Sequence, residues 1–363
     1  MKFLRLAFYV LIAQLVLSGC AGEAVEETSS SSSSDSSSSE INFDAYVGRN
    51  ASTRTSVTDI DFLKRDIKNP DNFNAGFGVF ARYNYNGKIL SLLDTEHVTW
   101  NKDQNHWEYT NTRFWPSEGS VDFYAFAPYS AQPKLDNFEI DFPANWSPVD
   151  LVYANAENQK KANNPVKFTF KHALARLSFD ITANQTLEKN GAVIKVKEVK
   201  LYGVDETSGI FLMGGHLNLQ KGVWRPYDNG TRWFYTWTPD GKVEGKVEGK
   251  EDSEDGNEDE NSIIYKLSAP PQLDHEHDKI TNDDDSYIFI IPQEKPANFN
   301  LKITYTVKQG DFEEEVTVYK DLLKVLPGDS DPYFEGGKAY VFHLKLSLDP
   351  VKFDVKANVE AWK

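Results

Sequence analysis

Apolar residues recur at every second position along most of this chain, and that spacing limits its fold more than any other feature. In the last segment Val351, Phe353, Val355, Ala357, Val359 and Ala361 fall on one face. Lys352, Asp354, Lys356, Asn358 and Glu360 fall on the other. Leu301, Ile303, Tyr305 and Val307 keep the same period, as do Tyr340, Phe342, Leu344, Leu346 and Leu348. Side chains alternate across a β-strand with period two, so each run reads as a strand with one buried face. Tyr287-Ile288-Phe289-Ile290-Ile291, closed by Pro292, is apolar throughout and reads as a strand covered on both faces. No window carries a capped apolar stripe at helical spacing. The aromatics agree, because 23 Phe, 17 Tyr and 8 Trp against 2 Met favour strands. From residue 41 onward the fold class is all-β, built as sandwiches.

One stretch changes phase. Val166, Phe168 and Phe170 are apolar at even positions, whereas Leu177, Phe179 and Ile181 are apolar at odd ones. A one-residue slip moves every side chain to the opposite face, so a single flat strand cannot contain both sets. The switch falls within Lys171-His172-Ala173-Leu174-Ala175-Arg176, which predicts a bulge or a sheet-crossing bend. His172 is expected there as a structural hydrogen-bonding group rather than a catalyst.

The amino terminus has a different character. Lys2 and Arg5 precede a 12-residue apolar run from Leu6 to Leu17, interrupted only by Gln14. That run is too short to span a bilayer and suits a signal-peptide core. It ends in Leu17-Ser18-Gly19-Cys20, which resembles a bacterial lipobox. The resemblance implies cleavage after residue 19 and acyl chains on Cys20, the only cysteine of the chain. A lone cysteine excludes an intrachain disulfide framework, a Cys-based zinc site and a dithiol redox centre. Residues 21–40 carry ten serines, Ser29–Ser34 and Ser36–Ser39, and read as a disordered tether. As a flexible coil it spans on the order of 25 Å. Glu23, Glu26 and Glu27 behind the cysteine resemble acidic surface-export signals of Bacteroidetes-type lipoproteins. A surface rather than a periplasmic position is the expectation.

Charge and motifs narrow the function. The formal charge is −16, and −18 once Lys2 and Arg5 leave with the signal peptide, with no basic cluster to neutralise nucleic-acid phosphates. Glu251 to Asn261 holds seven acids and no base, behind Val243-Glu244-Gly245-Lys246 repeated as Val247-Glu248-Gly249-Lys250. An insertion at about 240–262 is expected as a solvated loop. Its acids lack the glycine and flanking helices of a helix-loop-helix calcium site, so no metal is assigned there or at Asp283-Asp284-Asp285. His275-Glu276-His277 sits among further acids and also reads as a loop. There is no Gly-x-Ser-x-Gly, no phosphate-cradling glycine loop and no His-Glu-x-x-His. A catalytic site, a metal and a cofactor are not expected, and the chain reads as non-enzymatic.

Several segments in order carry a family resemblance. They are Phe77-Gly78-Val79-Phe80-Ala81, Val121-Asp122-Phe123-Tyr124-Ala125-Phe126-Ala127-Pro128-Tyr129 and Asp150-Leu151-Val152-Tyr153-Ala154. Val166 to Ala175, Ile291-Pro292-Gln293 and Gly336-Gly337-Lys338-Ala339-Tyr340 follow. Behind a lipobox, this ordered set resembles the fimbrillin family of Bacteroidetes-type bacteria, in the branch related to minor fimbrial proteins. The resemblance implies two tandem transthyretin-like β-sandwiches behind a lipoprotein signal peptide and Ser-rich tether. The divisions expected are a signal peptide at 1–19, an acylated linker at 20–40, and sandwiches at 41–186 and 187–363. It further implies an outer-membrane lipoprotein that acts as a fimbrial subunit or anchor and assembles with other subunits by β-strand addition. Stalk members lose an N-terminal strand by cleavage after a basic residue, and the counterparts here are Arg49 and Arg54. The C-terminal segment, with Val351, Phe353, Val355 and Val359, is the candidate donor strand, although it equally suits a strand completing its own domain. A tip adhesin or glycan-binding lipoprotein, meeting a host or environmental glycan or protein, is the alternative. Trp224, Trp233 and Trp237 are its candidate sugar contacts, and buried core aromatics are the competing explanation of them.

Overall fold

The computed structural model describes residues 39–47, 58–65, 74–142, 150–183, 193–227, 232–237, 242–243, 265–266, 288–326, 332–347 and 354–361. The fold is all-β, and its strands are numbered here in chain order. One sheet of seven strands runs in the order β1 (Phe43–Val47), β8 (Val166–His172), β7 (Val152–Gln159), β5 (Ser120–Ala127), β2 (Phe77–Tyr85), β3 (Lys88–Asn101) and β4 (His106–Glu108). Asn86 and Gly87, both at positive φ, make the tight turn between β2 and β3. A short helix α1 (Ile60–Leu63) is capped by the Asp59 carboxylate, which accepts from the Phe62 N–H at 2.7 Å.

Period two sorts the side chains of this sheet into two apolar layers. Phe77, Val79 and Ala81 of β2, Phe123 and Ala125 of β5, and Phe168 and Phe170 of β8 enter a first core. Phe80, Tyr124 and Phe126 point the other way, into a second cluster with Leu174, Leu212, Leu217, Phe289 and Ile291. Over that reverse face lies a three-stranded sheet of β13 (Val223–Pro226), β12 (Gly215–Asn218) and β6 (Glu139–Phe142), which contributes Leu217 and Ile140.

The remaining strands form two facing four-stranded sheets and three short pairs. One four-stranded sheet has the order β18 (Ile288–Ile290), β9 (Ala175–Ala183), β23 (Lys338–Leu346) and β24 (Asp354–Ala361). The other has the order β15 (Tyr235–Trp237), β10 (Val193–Tyr202), β20 (Asn300–Gln309) and β21 (Phe312–Asp321). Both supply one core, in which Leu177, Phe179, Phe342 and Leu344 meet Val199, Leu301, Ile303 and Tyr305. This is a sandwich made as the alternation predicts. Ile288 and Ile290 enter that core while Phe289 and Ile291 enter the second cluster, so β18 is covered on both faces. Three short pairs complete the described strands: β11 (Phe211–Leu212) with β14 (Arg232–Trp233), β16 (Lys242–Val243) with β17 (Tyr265–Lys266), and β19 (Gln293–Glu294) with β22 (Tyr333–Phe334).

The phase switch is a change of sheet. β8 ends at His172, Ala173 and Leu174 enter the second cluster, and β9 begins at Ala175 in the other sandwich. His172 is buried, and its Nδ1 lies 2.9 Å from the Asp150 carboxylate, a structural bond as expected. The change of sheet comes before β9, whose Leu177, Phe179 and Ile181 are buried with residues of the later strands.

Of the acidic insertion at 240–262, Lys242 and Val243 are described, paired with Lys266 and Tyr265. The chain therefore leaves and re-enters at neighbouring positions. Deleting residues 244–261 is expected to change stability by less than about 1 kcal/mol, since shortening a long surface loop alters closure entropy only slowly. Urea denaturation checks this, and a loss above about 2 kcal/mol would show the segment to be part of the packed fold. Residues 1–38, His275-Glu276-His277 and the Asp283 run lie outside the described residues.

Candidate functional site

β1 is the most unusual element of the first body. Its sequence, Ile41-Asn42-Phe43-Asp44-Ala45-Tyr46-Val47, alternates strictly, with Ile41, Phe43 and Val47 buried and Asp44 and Tyr46 exposed. It runs parallel to β8, in register from Phe43 opposite Val166 to Val47 opposite Phe170. The Val166 N–H donates to the Asn42 carbonyl at 2.8 Å, and the Asn42 N–H donates to Asn164 Oδ1 at 2.9 Å. On its other flank the Ile41 N–H donates to the Arg113 carbonyl and the Trp115 N–H to the Ser39 carbonyl, each at 2.8 Å. The segment is thus pinned on its second flank at Ser39 and Ile41, while β1 itself forms the edge of the sheet, paired with β8 alone.

Its side chains fill a formed aromatic socket. The Phe43 ring lies 5.7 Å from Phe168, 5.7 Å from Phe123, 5.3 Å from Tyr109 and 6.4 Å from Phe77. The Tyr109 hydroxyl donates to the Ile41 carbonyl at 2.9 Å, and burial holds this phenol above its ordinary pKa. Burying a large apolar side chain is worth roughly 1.5–3 kcal/mol, so Ile41, Phe43 and Val47 bind this stave strongly.

Arg49 and Arg54 lie outside the described residues, in the interval between Val47 and Thr58. At Thr58 the chain is fixed again. The Thr58 N–H donates to Asp150 Oδ2 at 2.8 Å, and its hydroxyl donates to the Asp150 carbonyl at 2.5 Å. Asp150 Oδ1 faces His172 Nδ1 in the bond already described. Nothing in the local sequence marks this third partner, because 92 residues separate Thr58 from Asp150.

The candidate donor strand, β24, pairs with β23 from Lys338 opposite Ala361 to Lys345 opposite Asp354. Val355 is buried in the sandwich core and Val359 packs partly against it, while Lys356, Asn358 and Glu360 are exposed. In this structure the strand completes its own sheet, at the end of the strand order. Val351 and Phe353 lie outside the described residues.

The tryptophans are built into the fold. The Trp224 indole N–H donates to the Ala173 carbonyl at 2.7 Å, with its ring against the second cluster. The Trp233 N–H donates to the Leu212 carbonyl at 3.3 Å, and its ring lies 5.1 Å from Phe211. Trp237 pairs through its backbone with Val199, and its side chain is not described. Cys20 lies outside the described residues as well. Among the described residues no group of three His, Cys, Asp or Glu is placed to hold a metal, and no helix is long and apolar enough to cross a membrane.

Comparison with known proteins agrees with this architecture. A fimbrial protein from Bacteroides vulgatus superposes with a TM-score of 0.59 at 20% identity, over 89% of this chain and 99% of that one. The tip fimbrial protein Mfa3 from Porphyromonas gingivalis, with a C-terminal truncation, matches with a TM-score of 0.33 at 10% identity, over 80% of this chain and 96% of that one. No curated protein matches the chain by sequence. The family model described as fimbrillin-like matches from residue 67 to residue 362, beginning beyond β1 and both candidate arginines. With most of its length inside that match, the chain belongs to the fimbrillin-like family.

Proposed function

We propose that this protein is a surface fimbrial subunit joined to its neighbour by replacement of β1, after cleavage at Arg49 or Arg54. In this reading two tandem sandwiches meet at Ala173–Leu174, and a lipid on Cys20 carries the precursor to the outer membrane. The role is structural and adhesive, with other fimbrial subunits as partners. The observation that carries it is the stave itself: a short parallel strand at the edge of its sheet, paired with β8 and pinned just ahead by Ser39 and Ile41, with candidate cleavage points after it.

A second observation supports the C-terminal segment as the replacement. Ile41-Asn42-Phe43-Asp44-Ala45-Tyr46-Val47 and Val351-Lys352-Phe353-Asp354-Val355-Lys356-Ala357 share the Phe-Asp pair and the alternation around it. Set in that register, the inward side chains change from Ile, Phe, Ala and Val to Val, Phe, Val and Ala. The two sets differ by one methylene, worth about 0.8 kcal/mol, so the exchange is close to neutral in burial. Main-chain bonds to β8 would be remade by the incoming strand, with side-chain alternation giving specificity. The alternative, a glycan-binding surface lipoprotein, would use the half-exposed rings of Trp224 and Trp233, whose indole N–H groups are already bonded to backbone carbonyls.

The test is the N-terminus of the protein recovered from the cell surface. A start at Asn50 or Thr55 is the expected result for an assembled subunit. Recovery only as the intact chain beginning at acylated Cys20, in assembled material, would contradict strand replacement at this slot.

A further inference from the structure

We propose that Asp150, braced by His172, is a positioning residue that fixes where the retained chain begins once β1 is gone. This rests on the strand-replacement reading above. Three observations lead to it. First, one strand serves both parts of the N-terminal segment: β8 pairs with β1 up to Phe170, and His172, two residues further, holds Asp150. Second, both candidate cleavage points fall in the interval between the last β1 pairing at Val47 and the first Asp150 bond at Thr58. Third, the cluster is closed to water, with Asp150 0%, Thr58 2% and His172 9% exposed.

A carboxylate in such a place is stable only if its oxygens find donors. Oδ2 takes the Thr58 N–H and Oδ1 faces the His172 ring, while the Asp150 carbonyl takes the Thr58 hydroxyl. Peeling the chain back past Thr58 would strip Oδ2 of that donor, so removal of β1 halts there. The retained body keeps α1, whose Leu63 is fully buried and whose carbonyl accepts the Gly76 N–H at 2.9 Å. Without this stop, Lys64 and Arg65 would be the next basic residues open to a protease.

Limited trypsin digestion of the purified full chain, read by intact mass and N-terminal sequence, tests this. The unaltered protein is expected to stop at products beginning with Asn50 or Thr55. Asp150→Ala is expected to speed a second cut after Lys64 or Arg65 by about tenfold or more, as local opening loses its brake. Asp150→Asn keeps one acceptor for Thr58 and an amide for His172, and is expected to restore the unaltered pattern. A structural defect without a positioning role would accelerate all cuts alike and leave the product starts unchanged, which would overturn the proposal. Should Asp150→Ala not fold, Thr58→Pro decides, since it removes the N–H that Oδ2 accepts and leaves the Asp150–His172 pair in place. A severalfold faster second cut supports the proposal, and an unchanged rate overturns it. Loss of strand replacement itself reads differently: no folded product beginning at Asn50 or Thr55 survives even in the unaltered protein, and both ideas fall together.

Discussion

Phe43→Ala is expected to destabilise the intact chain by about 3–5 kcal/mol, the range for emptying a large aromatic site in a packed core. The ring is 4% exposed and touches Phe77, Tyr109, Phe123 and Phe168, so its loss leaves a cavity lined by four rings. Those rings sit on β2, on the segment after β4, on β5 and on β8, which leaves no single element free to close the gap. Because β1 is otherwise held through a few main-chain bonds, the same substitution should also release the segment ending at Arg49 or Arg54 faster in limited proteolysis. Urea denaturation followed by tryptophan fluorescence measures the first effect, since Trp107 and Trp115 are buried in this core. A loss below about 1 kcal/mol would mean that β1 is a surface strand rather than a stave.

Phe299→Ala should cost a similar amount, about 3–5 kcal/mol, in the other body. Phe299 is fully buried and packs at 5.7 Å from Phe334, 5.9 Å from Phe342 and 6.2 Å from Phe211. It precedes β20, and its carbonyl accepts the Leu322 N–H at 2.8 Å, which ties it to the end of β21. The two substitutions differ in what they do to the amino terminus. Phe299→Ala leaves the socket around Phe43 intact, so release of the N-terminal segment should keep its unaltered rate. If both variants release it equally fast, the two cores melt as one unit and the stave has no independent hold.

The strands were legible because alternation is written locally. Leu301 to Val307 and Tyr340 to Leu346 needed no partner to be recognised, and the phase change around His172 announced the passage between sheets. Which sheet β9 joins was not legible, since its alternation reads alike in either sheet and only its partners β18 and β23 decide. The socket for β1 was partly visible: Ile41, Phe43 and Val47 alternate, but nothing local says that the strand lies parallel to β8, far along the chain. The Thr58–Asp150–His172 cluster was half visible, with His172 expected in a structural bond and its partners supplied by tertiary contact alone. The surroundings of the tryptophans were not legible for a related reason. An aromatic run such as Trp224 to Trp237 looks the same whether its indoles face a sugar or a backbone carbonyl, and here Ala173 and Leu212 supply the carbonyls.

Strand replacement at the β1 slot is most directly tested with a synthetic peptide covering residues 349–361. It should bind saturably to protein trimmed after Arg54 and freed of its N-terminal fragment, and not to the untrimmed chain, whose slot is filled. A Phe353→Asp version of the peptide should bind at least about 100-fold more weakly, because it forfeits an aromatic burial and places a charge among rings. Equal binding to trimmed and untrimmed protein, or equal affinity of the two peptides, would contradict the account.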